Sequence, residues 1–135
     1  MIPQTALQAI HDACTAAGLS AVWGADAGYS PPVGFHAQIS QGVSTPATGF
    51  AEGSLMYDSF LTVAVSDAIP PAPGSVETEA RLSDKARDVI GRVLGSDALR
   101  EATSGVVLSS ATWEYTEGRR IVYLDFRVTA DISPA

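Results

Sequence analysis

The feature that most limits what this chain can fold into is the alternation running from Ile121 to Ile132. Val122, Leu124, Phe126, Val128, Ala130 and Ile132 fall on one side of an extended chain, and Tyr123, Asp125, Arg127, Thr129 and Asp131 on the other. A period of two with one dry and one wet side describes an antiparallel strand lying over a core and open to water on its far face. Upstream, Val106 to Tyr115 is a second run rich in β-formers, and Thr116, Glu117, Gly118 and Arg119 between the two carry turn chemistry. Together they predict a long hairpin closing the C-terminus.

The rest of the chain must supply what this hairpin packs on. Residues 3–17 read as a first helix, with Leu7, Ile10, Cys14 and Ala17 at spacings of three and four and His11 beside that stripe. Thr5 with Gln8 offers a capping box, and Gly18 a stop. Leu19 to Trp23 is short and apolar. The Gly- and Pro-bearing segment from Gly24 to Pro32 then suits neither a helix nor a central strand. Val33, Phe35, Ala37 and Ile39 alternate with polar or small neighbours and predict a strand. Gln41 to Gly53 is rich in Gly, Ser, Thr and Pro with only Val43 and Phe50 to bury, so a long flexible loop is expected there. Leu55 to Ser66 is a further strand with Leu55, Tyr57, Leu61, Val63 and Val65 facing one way, ended by the prolines from Pro70 to Pro73. Ser75 caps the main helix, whose apolar stripe is Leu82, Ala86, Val89, Ile90, Val93 and Leu94 and which Gly95 closes. Glu77–Arg81 and Asp88–Arg92 are opposite charges four apart on its outer face. Asp97 to Ala102 adds one further turn, with Ser96 or Asp97 as its cap.

This order predicts an α+β fold: an antiparallel sheet of four to five strands, two main helices packed on one face, and the C-terminal β-hairpin closing it. With no internal repeat or boundary, residues 1–135 are expected to form a single domain, long enough to bury about two thirds of its unfolded surface. A net charge of −7 argues against a free-standing nucleic-acid binder. One cysteine excludes an intramolecular disulfide. No apolar run approaches the roughly twenty residues of a membrane helix, so no membrane partner is expected. Met1 to Gln4 has no basic flank before an apolar stretch, so no secretory signal is expected either.

Chemistry-bearing patterns are weak. His11 and Cys14 lie three apart on one helix, but two ligands do not close a metal site, and a small buried thiol beside a half-exposed histidine is the simpler reading. Serines and aspartates are plentiful, yet no Gly-x-Ser-x-Gly elbow occurs and His36 lies in mid-strand. Lys85, the single lysine, is not in a phosphate loop. The expectation is therefore no catalytic residue, no metal, no cofactor and no enzyme activity. Trp113, Tyr115 and Tyr123 cluster near the hairpin tip beside Arg119 and Arg120, a combination that interfaces favour and that cross-strand packing also explains. These five are the candidate assembly residues.

The layout is also familiar. An N-terminal helix, strands around a long segment, the strand Phe60 to Val65, a proline-bearing connection, one long helix from Ser75 to Leu94, a short turn near Asp97 to Leu99, and a hairpin ending in alternation resemble the tail terminator (tail completion or minor tail) proteins of long-tailed bacteriophages. The resemblance spans nearly the whole chain, its best local stretch being Trp113 to Val128, while Gly24 to Gly53 departs from it. It implies a virion structural protein, assembled in the host bacterial cytoplasm, that forms a hexameric ring on the tail tube. Such a ring would stop polymerisation of the major tail protein and meet the head-side connector, with DNA only passing through the lumen. Another connector or neck protein of the same particle, or a small cellular α+β binding domain, fits the same size and charge.

Overall fold

A computed structural model of the chain describes residues 1–24, 34–51, 53–68, 74–116 and 119–133. The elements are α1 (Gln4–Ala16), β1 (Ser20–Trp23), β2 (Phe35–Pro46), β3 (Met56–Asp67), α2 (Val76–Leu94), α3 (Asp97–Ala102), β4 (Gly105–Thr116) and β5 (Arg119–Asp131). The five strands form one sheet in the order β1-β2-β3-β5-β4. The fold is α+β, with three helices where two main ones and an added turn were expected.

The sheet is mixed, which corrects the expectation of an antiparallel one. β2 with β3, β3 with β5 and β4 with β5 are antiparallel, but β1 runs parallel to β2, with Ser20 opposite His36 and Trp23 opposite Ile39. A parallel pair needs a crossover rather than a tight turn. The irregular segment expected over 24–32 lies, apart from Gly24, outside the described residues, as does Val33.

The loop expected over 41–53 is also corrected. β2 continues to Pro46, with Gln41 opposite Leu61 and then, past a bulge, Ser44, Thr45 and Pro46 opposite Ser59, Asp58 and Tyr57. Composition hid this strand because its stability comes from pairing with β3 and not from burial of its own side chains. Ser44 Oγ meets Ser59 Oγ at 2.8 Å, and the N-terminal ammonium donates to Gln41 Oε1 and Ser44 Oγ. Only 47–55 connects the two strands.

The helices bury small and branched side chains against one face. α1 begins directly after Pro3, and no Thr5–Gln8 box forms; Gln8 Nε2 donates to Asp12 Oδ1 instead, at 2.8 Å. Ala6, Ala9, Ile10, Ala13 and Cys14 form its buried side, and Gly18 ends it at φ 86°. On α2, Ser75 Oγ accepts from the Thr78 amide as expected, and Leu82, Ala86, Val89 and Val93 are buried. The Asp88–Arg92 pair forms at 2.8 Å, whereas Arg81 turns to the buried carboxylate of Asp67, 3.3 Å away. Ser96 caps α3. Facing these helices are Ala37 and Ile39 of β2, Leu61, Val63 and Val65 of β3, and Val122, Leu124, Phe126 and Val128 of β5. Leu61 lies opposite Phe126 and Val63 opposite Leu124, so the dry sides of neighbouring strands form one continuous layer. No described helix is long and apolar enough to cross a membrane.

Candidate functional site

Side chains alternate across a strand, so the residues not facing the helices line a second, polar sheet face. Its centre is a cross-strand ladder. Thr62 Oγ1 donates to Asp125 Oδ1 at 2.5 Å, Ser110 Oγ donates to Asp125 Oδ2 at 2.9 Å, and Thr129 Oγ1 donates to Asp58. Each carboxylate is held by hydroxyls of the next strand, which suits a fixed polar surface better than a reactive one.

Toward the β4–β5 turn, this face carries a buried cluster that sequence reading missed. His36 of β2 lies opposite Ser66 of β3, and Arg119 opens β5 beside them. Ser66 Oγ is 2.9 Å from His36 Nε2, and Arg119 Nη2 donates both to His36 Nε2 at 2.8 Å and to Ser66 Oγ at 2.9 Å. A guanidinium has donors only, so Nε2 presents its lone pair and the neutral ring carries its proton on Nδ1. Burial, with Arg119 adding to it and Asp67 opposing, pushes the His36 pKa down to about 4. Serine beside histidine invites a nucleophile reading, but the lone pair that would take the serine proton already accepts from Arg119. His36 and Ser66 are also each only 2% exposed. The arrangement clamps the β4–β5 hairpin to β2 and β3. Period-two alternation put His36 and Ser66 on the polar sides of their strands; only the β2–β3 register, which the sequence does not display, joins them.

His11 and Cys14 stay apart in role. The His11 ring stacks on Trp23 with centroids 5.7 Å apart, while Cys14 is fully buried and burial pushes its thiol up to about 12. Among the described residues no three His, Cys, Asp or Glu side chains are grouped to hold a metal ion.

The five candidate assembly residues are divided between faces. Trp113, Tyr115 and Arg120 point to the helix side, and Arg119 and Tyr123 to the polar side. Arg120 stacks over the Trp113 ring at 5.2 Å and pairs with Glu79 of α2 at 2.6 Å. The expectation of two arginines at an exposed turn is thus corrected: consecutive strand residues face opposite ways, and each guanidinium has a partner in its own chain. Tyr123 is half-buried, and burial together with the neighbouring Glu114 carboxylate raises its phenol pKa. Tyr115 remains open, 58% exposed. Glu117 and Gly118 lie outside the described residues.

Exposed apolar side chains are spread over the described residues, among them Trp23, Val76 and Val107, and three of them belong to one hairpin. Val43, Phe50 and Leu55, at 67%, 48% and 44% exposure, all belong to the β2–β3 hairpin and its connection. At the ends of that connection the Ala47 amide donates to the Met56 carbonyl and the Ile132 amide to that of Leu55. Leu55, expected on the inward side of a strand from 55 to 66, instead precedes β3 and is exposed, and Val43 and Phe50 fall in the segment expected to be a loop. No protein-family model and no curated protein matches the chain.

Proposed function

We propose that this chain is a structural virion protein, a tail terminator of a long-tailed bacteriophage. Six copies form a ring at the head-proximal end of the tail tube, stop its polymerisation and meet the head-side connector. The observation that carries the reading is the β2–β3 hairpin, which presents Val43, Phe50 and Leu55 to solvent at one end of the sheet. Three large apolar side chains exposed on one hairpin and its connection offer a contact surface to a neighbour. The element order, with one long helix before a short one and a closing hairpin, agrees with the resemblance that suggested the role. Tyr115 adds a second exposed aromatic, while Arg119 and Arg120 support the hairpin from inside.

In this reading the contact between copies is head-to-tail, joining different patches of adjacent subunits, and the rotation per subunit closes the ring. Acidic surface, from a net charge of −7, keeps passing DNA from adhering. Electron microscopy of the purified protein, alone and with tail tubes, tests the proposal. Rings of six and capped tubes are expected. Phe50→Asp with Leu55→Asp should abolish the rings while circular dichroism shows an intact fold. A protein that stays monomeric even with tubes present refutes it.

A further inference from the structure

A sheet edge is a row of unpaired amides and carbonyls, and proteins guard such rows with short strands, charges, prolines or bulges. Among the described residues this sheet has three free stretches, and they are guarded unequally. β1 is only four residues long. β2 extends beyond β1 from Ser40 to Pro46, but that part is bulged between Gln41 and Ser44 and ends in a residue with no amide hydrogen. β4 is a full twelve residues, Gly105–Thr116, with Glu114 its single charge and no lysine, arginine or proline. Its one irregularity lies between Leu108 and Ser110; from Ser110 onward its ladder to β5 is regular. No residue from 105 to 115 is buried.

We propose that the outer edge of β4, from Ser110 to Thr116, pairs antiparallel with the same edge of a second copy, centred on Trp113, and joins the two sheets. The chemistry of a free edge asks for an extended strand, and the side chains name this chain as its own complement. With Trp113 opposite Trp113 of the second copy, Tyr115 falls opposite Ala111 and Glu114 opposite Thr112. Directly opposed residues share a face, so exposed Tyr115 covers a small neighbour on the helix side. On the polar side no acid opposes an acid, which would destabilise the pair. Such a contact is two-fold and closes on itself. It gives a dimer, not a ring, and stands independently of the terminator reading. Two bodies of charge −7 repel, so association should strengthen as salt screens them.

Sedimentation velocity across a concentration series, at low and high salt, is the experiment. The parent should dimerise, more readily at high salt. Ala111→Lys sets a long charged side chain where Tyr115 of the second copy must lie, and should raise the dimer dissociation constant at least tenfold. Tyr115→Lys repeats the test if Ala111→Lys fails to fold by circular dichroism. Val107→Lys, on the same strand but outside the paired stretch, should leave the dimer intact. Hydrogen exchange should show amides in 110–116 gaining protection as the dimer forms. A parent that is monomeric at millimolar concentration overturns the proposal. So does a dimer, or a six-membered ring, that withstands both lysine substitutions; the ring outcome would leave the terminator reading standing.

Discussion

Lowering the pH should destabilise this protein through His36 well before its carboxylates are fully protonated. In the fold the imidazole is held neutral, its pKa pushed from 6.5 to about 4 by burial and, second, by Arg119. The unfolded chain takes up the proton near pH 6.5, so between those two values it binds more protons than the fold does. Stability is therefore complete above about pH 6.5 and falls as the pH drops toward 4. At about 1.4 kcal/mol per pH unit, a displacement of this size is worth roughly 3 kcal/mol, a sizeable part of the 5–15 kcal/mol typical of a domain. Arg119 faces the ring from β5 and Asp67 acts on it from the end of β3 with the opposite sign, so the Coulomb contributions partly cancel and burial dominates.

Urea unfolding at steps from pH 7 to pH 4, on the parent and on His36→Gln, isolates this contribution. A glutamine carbonyl can still accept from Arg119 and does not titrate, so the variant keeps the carboxylate part of the curve and loses the histidine part. The difference between the two proteins should change by roughly 3 kcal/mol across that window. Nuclear magnetic resonance should place the His36 midpoint near 4, and Arg119→Gln should raise it only in part. A midpoint near 6.5, or parallel stability curves for parent and variant, would refute the clamp and its neutral ring.

Other substitutions test the packing. Phe126→Ala removes a fully buried ring at the centre of the sheet and should cost about 3–5 kcal/mol, lowering the melting temperature by roughly 10–15 °C. Cys14 should resist a thiol reagent in the native protein and react only on unfolding, since it is buried and protonated; rapid labelling of native protein would contradict that placement. Arg119→Glu with Arg120→Glu should lower the melting temperature, because one arginine donates to His36 and Ser66 and the other pairs with Glu79. An unchanged melting curve for that pair of changes would mean the arginines are free at the turn after all.

What the sequence displayed, and what it hid, follows from where each signal resides. Val122 to Ala130 alternate because one side is dry, so the strand and its core residues are readable from that, and the turn residues before it give its direction relative to β4. α2 announced itself through Ser75 and the Leu82, Ala86, Val89 and Val93 stripe. By contrast, Gln41 to Pro46 bury little, and a strand whose support comes from backbone pairing leaves no pattern in side-chain type. The parallel entry of β1 depends on a crossover, and four residues carry too little periodicity to declare a direction. The clamp was hidden for a third reason. His36, Ser66 and Arg119 lie up to 83 positions apart, and only the strand order β2-β3-β5 brings them together.

The same alternation decides which residues are free to face a neighbour. Arg119 and Arg120 look like one basic patch in the sequence, yet a strand sends them to opposite faces, where each meets a fixed internal partner. To recruit either into a contact, an approaching surface would have to replace a hydrogen bond or ion pair already made, so little net attraction remains. Surface ion pairs contribute only about 0–1 kcal/mol even when both partners start free. Apolar side chains with no partner carry no such cost. Burying exposed Phe50, Val43, Leu55 or Tyr115 gains about 25 cal/mol per Å² before ordering costs are subtracted. Association of this chain is thus expected to run through its hairpin apolar residues and the β4 edge. Charge then acts mainly against it, so added salt should favour rather than dissolve whatever assembly forms. An assembly that salt dissolves would be held by charge complementarity, and would return the arginines to the centre of the interface.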